Sequence, residues 1–258
     1  MVKAVERNVL ITIQYDGSCF HGWQIQDNAY TVQECFQSAL YKILGGEHDI
    51  KACSRTDTGV HARMFCISVA FDNRITNERL VGALNHFLPE HMACCSCRDV
   101  APDFHARYSC KGKEYVYLIH NSKIRDPFLN KRALHYWYPM DEEVLDRAAG
   151  YYVGTHDFSA FCTMDARKKG DLVRTVYSAS VQRDGDKVLF TVSADGFLYN
   201  MVRIMAGTLL RVQEGKIKPE DIPGIIESGD RAMAGPTAPA HGLYLNRVFY
   251  EEEEINGK

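Results

Sequence analysis

The sequence predicts an α/β chain of the α+β kind: two βαββαβ halves whose antiparallel sheets adjoin, with a central active-site cleft. Three observations point there. Apolar residues recur with a period of two in some stretches and of 3.6 in others, in the order β-α-β-β-α-β. The same order returns in the second half of the chain. The halves differ most at one connection, a minimal turn in the second and a long polar loop in the first. The order is that of the ferredoxin-like unit. It divides the chain at residues 1–104 and 105–258, joined around residues 100–107.

Residues 8–14 alternate as a strand, and Tyr15-Asp16-Gly17 ends it with a turn. A helix starts at Thr31, which makes a capping box with Glu34, and Val32, Phe36, Ala39, Leu40 and Ile43 form its apolar stripe. Strands follow near 49–53 and 64–71. A helix near 77–87 turns Leu80, Val81, Leu84 and Phe87 inward, and a strand near 92–98 closes the half. In the second half Tyr108 to Ile119 reads as a long strand. Residues 142–152 have helical spacing in Val144, Leu145, Ala148, Ala149 and Tyr152. Strands near 173–182 and 187–194 flank the tight Asp184-Gly185-Asp186 turn. A helix near 197–212, a shorter one after Pro219 and a strand near 242–249 complete the series.

Where the second half has Asp184-Gly185-Asp186, the first has the loop Ser54-Arg55-Thr56-Asp57-Thr58-Gly59-Val60-His61-Ala62-Arg63. A hairpin needs turn formers, but not an Arg, an Asp and a His within seven residues. A polar loop presented by a rigid scaffold is the usual layout of an active site. A solvated hairpin carrying an Arg–Asp surface pair is the plainer alternative, and neutral insertions in surface loops cost little.

Bulk properties narrow the classes. The 258 residues are 46% hydrophobic, enough for a real core. The N-terminal residues lack the apolar core of a signal peptide, and no apolar run is long enough to span a bilayer. Nine scattered cysteines without a secretion signal read as reduced thiols, placing the chain in the cytoplasm with no membrane partner. Net charge is −3, of which Glu251 to Glu254 contribute −4, so the remainder is near neutral. Local basic clusters occur at Lys111/Lys113, Lys131/Arg132 and Arg167-Lys168-Lys169.

Three further constellations stand out. Lys111-Gly112-Lys113-Glu114-Tyr115-Val116-Tyr117 alternates so that Tyr115 and Tyr117 share a face. Aromatics beside lysines suit nucleic acid, where a ring stacks a splayed base and ammonium groups hold phosphate. Arg203 lies between Val202 and Ile204 in an apolar helical run, so its guanidinium either meets an anionic partner or snorkels to the helix edge. His86, His91, Cys94, Cys95 and Cys97 are dense enough to suggest zinc. Alternation along a strand would turn neighbouring thiols to opposite sides, however, so buried structural cysteines and no metal site are expected.

Arg55-Thr56-Asp57-Thr58-Gly59-Val60-His61-Ala62 closely resembles the signature of the TruA family of tRNA pseudouridine synthases, which surrounds a nucleophilic aspartate. In order along the chain, Phe20-His21-Gly22-Trp23-Gln24-Ile25-Gln26, Phe104-His105-Ala106-Arg107, the Lys113–Tyr115 strand, Gly154–Phe161, Phe197–Arg203 and Pro236–Leu245 are similar to further blocks of that family. The resemblance runs from about residue 8 to about residue 249. It departs at Thr58, where Ala or Ser is commoner, and at Arg63-Met64-Phe65, where a Gly-Gln pair often follows the loop.

The resemblance implies isomerisation of uridine to pseudouridine at positions 38, 39 and 40 of the tRNA anticodon arm, with no cofactor, by a homodimer. It implies Asp57 as nucleophile, on the uracil ring or on ribose C1′, and Arg203 as the partner of that carboxylate. It makes Tyr115 the ring that stacks on the target uracil. Arg55 would displace the base, Leu243 and Leu245 would line an apolar wall, and Gln24 and His61 would complete substrate binding. Two rivals are weighed against it: a non-catalytic RNA-binding module, and a metal-dependent hydrolase using Asp57 and His61. A binder has no use for a carboxylate aimed at an anionic polymer, and the loop supplies too few ligands for a metal hydrolase.

Overall fold

The computed structural model describes residues 7–163, 170–251 and 254. The cluster Arg167-Lys168-Lys169, residues 1–6, and Glu252 and Glu253 of the acidic run lie outside them. The described chain is a mixed α+β fold, as expected. Its internal contacts form two units, Met1–Lys111 with Leu245–Glu254, and Gly112–Tyr244 with Ile255–Lys258.

The first unit runs β1 (Arg7–Tyr15), α1 (Val32–Leu44), β2 (Lys51–Ala52), β3 (His61–Phe71), α2 (Asn77–Phe87) and β4 (Met92–Asp99). β3 pairs antiparallel with β1 and β2, and β1 pairs antiparallel with β4. β10 (Leu243–Phe249), whose residues from Leu245 onward belong to this unit, also lies beside β3. Val9, Ile11 and Ile13 face Val69, Ile67 and Phe65 across the β1–β3 ladder, and all six are buried. α1 packs Val32, Phe36, Ala39 and Leu40 inward, with Thr31 Oγ1 accepting from Glu34 N as its cap. The segment around 100–107 is no loose linker. Ala106 is buried, its N–H donates to Ser68 Oγ at 3.0 Å, and its carbonyl accepts from Tyr250 Oη at 2.9 Å.

The second unit contains β5 (Gly112–Asn121), β6 (Leu134–Tyr136), α3 (Glu142–Gly150), β7 (Gly154–Asp157), β8 (Val173–Asp184), β9 (Lys187–Ala194), α4 (Met201–Gln213) and α5 (Ile222–Ser228). β5, β9, β8 and β7 are neighbours in that order, all antiparallel, while β6 pairs parallel with β5. Tyr152, buried between Phe161 and Phe190, donates to Met205 O and ties the end of α3 to α4.

Several boundaries differ from expectation, each for a physical reason. The strand expected from Tyr108 starts at Gly112, because Ser109 N turns back to His105 O. The helix expected from Phe197 starts at Met201, because Asn200 adopts a left-handed conformation. The strand expected over 49–53 keeps only Lys51–Ala52 in ladder pairing. β6 and β7 were not anticipated. Phe87, expected inward, is exposed and instead meets the Lys42 ammonium, 5.5 Å from its ring centroid. Of the cysteines expected to be buried, Cys94 is, and burial pushes its thiol up to about 12, whereas its neighbour Cys95 is exposed. Among the described residues no helix is long and apolar enough to cross a membrane.

Candidate active site

The polar loop between β2 and β3 has its backbone held at three points. Cys53 N–H donates to Cys66 O, closing the ladder before the loop leaves it. Thr56 is buried, its carbonyl accepts from Trp23 N at 3.0 Å, and its hydroxyl meets Tyr15 Oη at 2.8 Å. Tyr15 reaches that position because the β1–β3 register slips between Ile13 and Tyr15, and such an irregularity re-aims a side chain. Asp57 O then accepts from Val60 N at 3.1 Å, a tight turn that needs Gly59 at φ 82°. Asp57 thus opens a glycine turn, half-buried, with Arg55 exposed two residues before it.

The floor beneath this loop is the connection from β1 to α1. A Cβ on Gly17 would lie 1.9 Å from Val60 O, and one on Gly22, itself at φ 83°, would lie 2.7 Å from Thr56 O. Both glycines therefore let backbone approach backbone where no side chain fits. His61 is buried at the loop's end, and its Nδ1 accepts from Gly17 N at 3.0 Å. Asp16 Oδ1 lies 3.2 Å from the same nitrogen, so a protonated ring would donate there instead. Trp23 is buried with its ring 4.4 Å from that of Phe65, while its neighbour Gln24 is exposed. Leu245 is fully buried.

Gly17→Ala is expected to lower stability by about 1–3 kcal/mol, since the new methyl overpacks against a carbonyl that cannot rotate away. At about 2–4 °C per kcal/mol for a chain of this size, the loss is readable in a thermal melt. Gly224→Ala is the control. Nothing lies within 4 Å of its new carbon, and the melt should be unchanged or slightly improved.

The second unit holds Tyr115, Arg203 and Leu243. Tyr115 is buried on β5 with Phe197 edge-on at 5.0 Å. Arg203 lies in the first turn of α4, half-buried. Its Nε donates to Ala238 O at 2.8 Å and its Nη1 to Asn200 Oδ1 at 2.9 Å, while its own carbonyl accepts from Ala238 N. Asn200 takes a left-handed backbone (φ 63°), which Asn tolerates better than most residues. The segment 235–242 straps over α4 and β5. A Cβ on Gly207 would lie 1.7 Å from Pro236 O, Tyr117 Oη donates to Pro239 O, and Gly242 backs onto the Tyr117 ring. Leu243, buried, follows the strap.

Two of these residues lie in the Phe197–Arg203 block but were given no role by the sequence: Asn200, which orients Arg203, and Phe197, which abuts Tyr115. His241 on the same strap is held below the ordinary histidine range, first by burial and then by the Arg203 charge. The fold thus favours the neutral ring, and the unfolded chain binds the proton more readily. Stability is full above the ordinary value of 6.5 and declines as pH falls below it. Denaturant midpoints should therefore drop as pH falls through about 6.5 and below, and less steeply in His241→Gln.

Comparison with known proteins decides the family. Residues 11–109 and 148–251 match the family described as tRNA pseudouridine synthase. The chain belongs to the tRNA pseudouridine synthase family. A protein of Thermoanaerobacter sp. named tRNA pseudouridine synthase A is 45% identical over 244 residues, covering 95% of this chain and 100% of its own. The protein of that name from Acetivibrio thermocellus is 46% identical over the same shares, and that from Moorella thermoacetica is 46% identical over 93% and 98%. A pseudouridine synthase is an isomerase, because uridine and pseudouridine contain the same atoms.

Proposed function

We propose that this tRNA pseudouridine synthase converts uridine to pseudouridine at positions 38, 39 and 40 of the tRNA anticodon arm, in the cytoplasm, as a homodimer and without a cofactor. One observation carries the reading. In a chain of this family, Asp57 opens a glycine turn whose backbone is braced by Tyr15, Trp23, Gly17 and Gly22. A nucleophile needs that rigidity, because misplacement by about 1 Å can cost on the order of 100-fold in rate.

The reaction breaks the bond from ribose C1′ to N1, turns the uracil, and joins C1′ to C5. The C5 proton leaves and N1 gains one, so nothing is oxidised or reduced. Asp57 is the nucleophile, taking up either ribose C1′ or the uracil ring while the glycosidic bond is open. Arg203 is the counter-charge that keeps this carboxylate ionised and aimed. Its hydrogen bonds support a fixed guanidinium, since Ala238 O and Asn200 Oδ1 hold two edges of the fork. Tyr115 stacks on the uracil and assists proton removal from C5. Arg55, exposed on the loop, displaces the base, a step that costs a few kcal/mol. Gln24 contacts the RNA, and Leu243 and Leu245 exclude water. His61 serves binding indirectly, from beneath the loop, through Gly17. The two units are proposed as ferredoxin-like halves, 1–104 and 105–258.

The direct test is to incubate unmodified tRNA transcripts with the protein and map pseudouridine. Product at positions 38–40, formed equally well in a strong chelator, is the expected result. Tight tRNA binding with no product would favour a binding module, and turnover lost in chelator but restored by zinc would favour a metal enzyme.

A further inference from the structure

The connection from β5 to β6 and the residues after it form a surface unused in that mechanism. Residues 122–138 carry Lys123, Arg125, Lys131 and Arg132 against a single acidic residue, Asp126, in a chain whose overall charge is −3. The same segment exposes its largest apolar side chains: Ile124 at 79%, Phe128 at 84%, Trp137 at 58% and Tyr138 at 68%. Folding leaves such rings in water only at a cost, and exposed apolar groups clustered in this way mark interaction sites.

The segment is held in shape. Asp126 Oδ1 accepts from Phe128 N at 2.8 Å, and Leu129 O accepts from both Arg132 N and Ala133 N. His135 Nε2 lies 2.8 Å from Ser122 O, and Asn121 Nδ2 donates to the carbonyls of Tyr136 and Tyr138. Tyr244 Oη donates to Arg132 O from outside the segment. A partner would therefore meet a backbone already shaped, with little main-chain ordering left to do on docking.

We propose that this surface docks unpaired nucleotides of the RNA substrate, with bases stacking on Phe128 and Trp137 and phosphates held by the lysines and arginines around them. The inference rests on the reading of tRNA as substrate and adds a second place where RNA is gripped. Charge decides among occupants. A second copy of this chain, applied face to face by two-fold symmetry, would set the same cationic segment against itself. An anionic polymer that carries flat rings satisfies both features together.

The two tryptophans of the chain provide the readout, because Trp23 is 4% exposed and Trp137 is on the surface. Adding unmodified tRNA transcript to the full-length protein should quench the Trp137 emission, and Trp137→Phe should abolish the response. Phe128→Ala and Trp137→Ala should each weaken tRNA affinity by about fivefold or more, the loss appearing in KM more than in kcat. Replacing Lys131 and Arg132 by Gln should lower the slope of log affinity against log salt by about 0.7 per charge removed. Wild-type affinity and salt slope in these variants, with wild-type enzyme active on tRNA, would overturn this inference alone. Wild-type protein that neither binds nor modifies tRNA would overturn the functional reading and this inference with it. Variants that fall apart into smaller species in sedimentation would assign the surface to a second copy. Binding to anionic vesicles, lost in the variants while tRNA affinity holds, would assign it to a membrane.

Discussion

Asp57→Asn should abolish pseudouridine formation while tRNA affinity stays near that of the parent. The amide preserves the size of the side chain and leaves the turn beneath it intact, since Asp57 O to Val60 N is a backbone bond. What is lost is the proposed nucleophile, and removing a nucleophile costs on the order of 10⁶ in kcat in well-studied covalent enzymes. Binding survives because it is spread over many contacts, most of them to phosphate. The measurement is single-turnover pseudouridine formation beside a filter-binding titration of the same preparation. More than trace product from a folded variant would remove Asp57 from the role.

Arg203 variants should be nearly as damaging, for a different reason. Arg203→Lys keeps the charge but not the planar fork, and an ammonium cannot hold Ala238 O and Asn200 Oδ1 while aiming at a third acceptor. Turnover should collapse with only modest loss of tRNA affinity. Arg203→Ala should also destabilise the fold, because the Ala238 carbonyl and Asn200 amide each lose a donor, at about 1–3 kcal/mol for each group left unsatisfied. The decisive experiment is a double-mutant cycle of Asp57→Asn and Arg203→Lys read by stability. A coupling of about 0.5–3 kcal/mol is expected for groups that interact directly, and simple additivity would dissolve the proposed pair.

What could be read in the sequence was what acts locally. The Thr31 cap and the stripe of α1 are signals within one helix: Thr31 Oγ1 accepts from Glu34 N, and Val32, Phe36, Ala39 and Leu40 of the stripe are buried while Ile43 is half-buried. The polar loop stood out because a hairpin has no use for Arg55, Asp57 and His61 in close succession. What escaped were effects between segments far apart in sequence. Gly17 read as an ordinary turn residue and Gly22 as one position of a family block, yet both admit the backbone of Val60 and Thr56 from far along the chain. Asn200 was hidden inside an apolar run that reads as unbroken helix, although its left-handed backbone starts the helix four residues late and presents Oδ1 to Arg203. β6 and β7 have only three and four residues, too few for any period to declare itself. Phe87 has the spacing of a core residue, yet it lies at the surface against Lys42 of the neighbouring helix, a contact between segments that spacing does not encode.

The sharing of β10 between the units bears on how the molecule is made. Leu245–Glu254 belong with Met1–Lys111, tied by Lys111 N to Phe249 O and by Tyr250 Oη to Ala106 O. A ribosome extending the chain at about 5–20 residues per second needs on the order of ten seconds to travel from Lys111 to Leu245. For that interval the first unit waits with the β10 side of β3 covered only by the two-residue β2, leaving the rest of that edge a template for wrong partners. The second unit, by contrast, has nearly all its strands in hand before β10 emerges. The half that carries Asp57 is begun first and finished last, so a message broken before codon 245 delivers the Asp57 loop on an incomplete sheet.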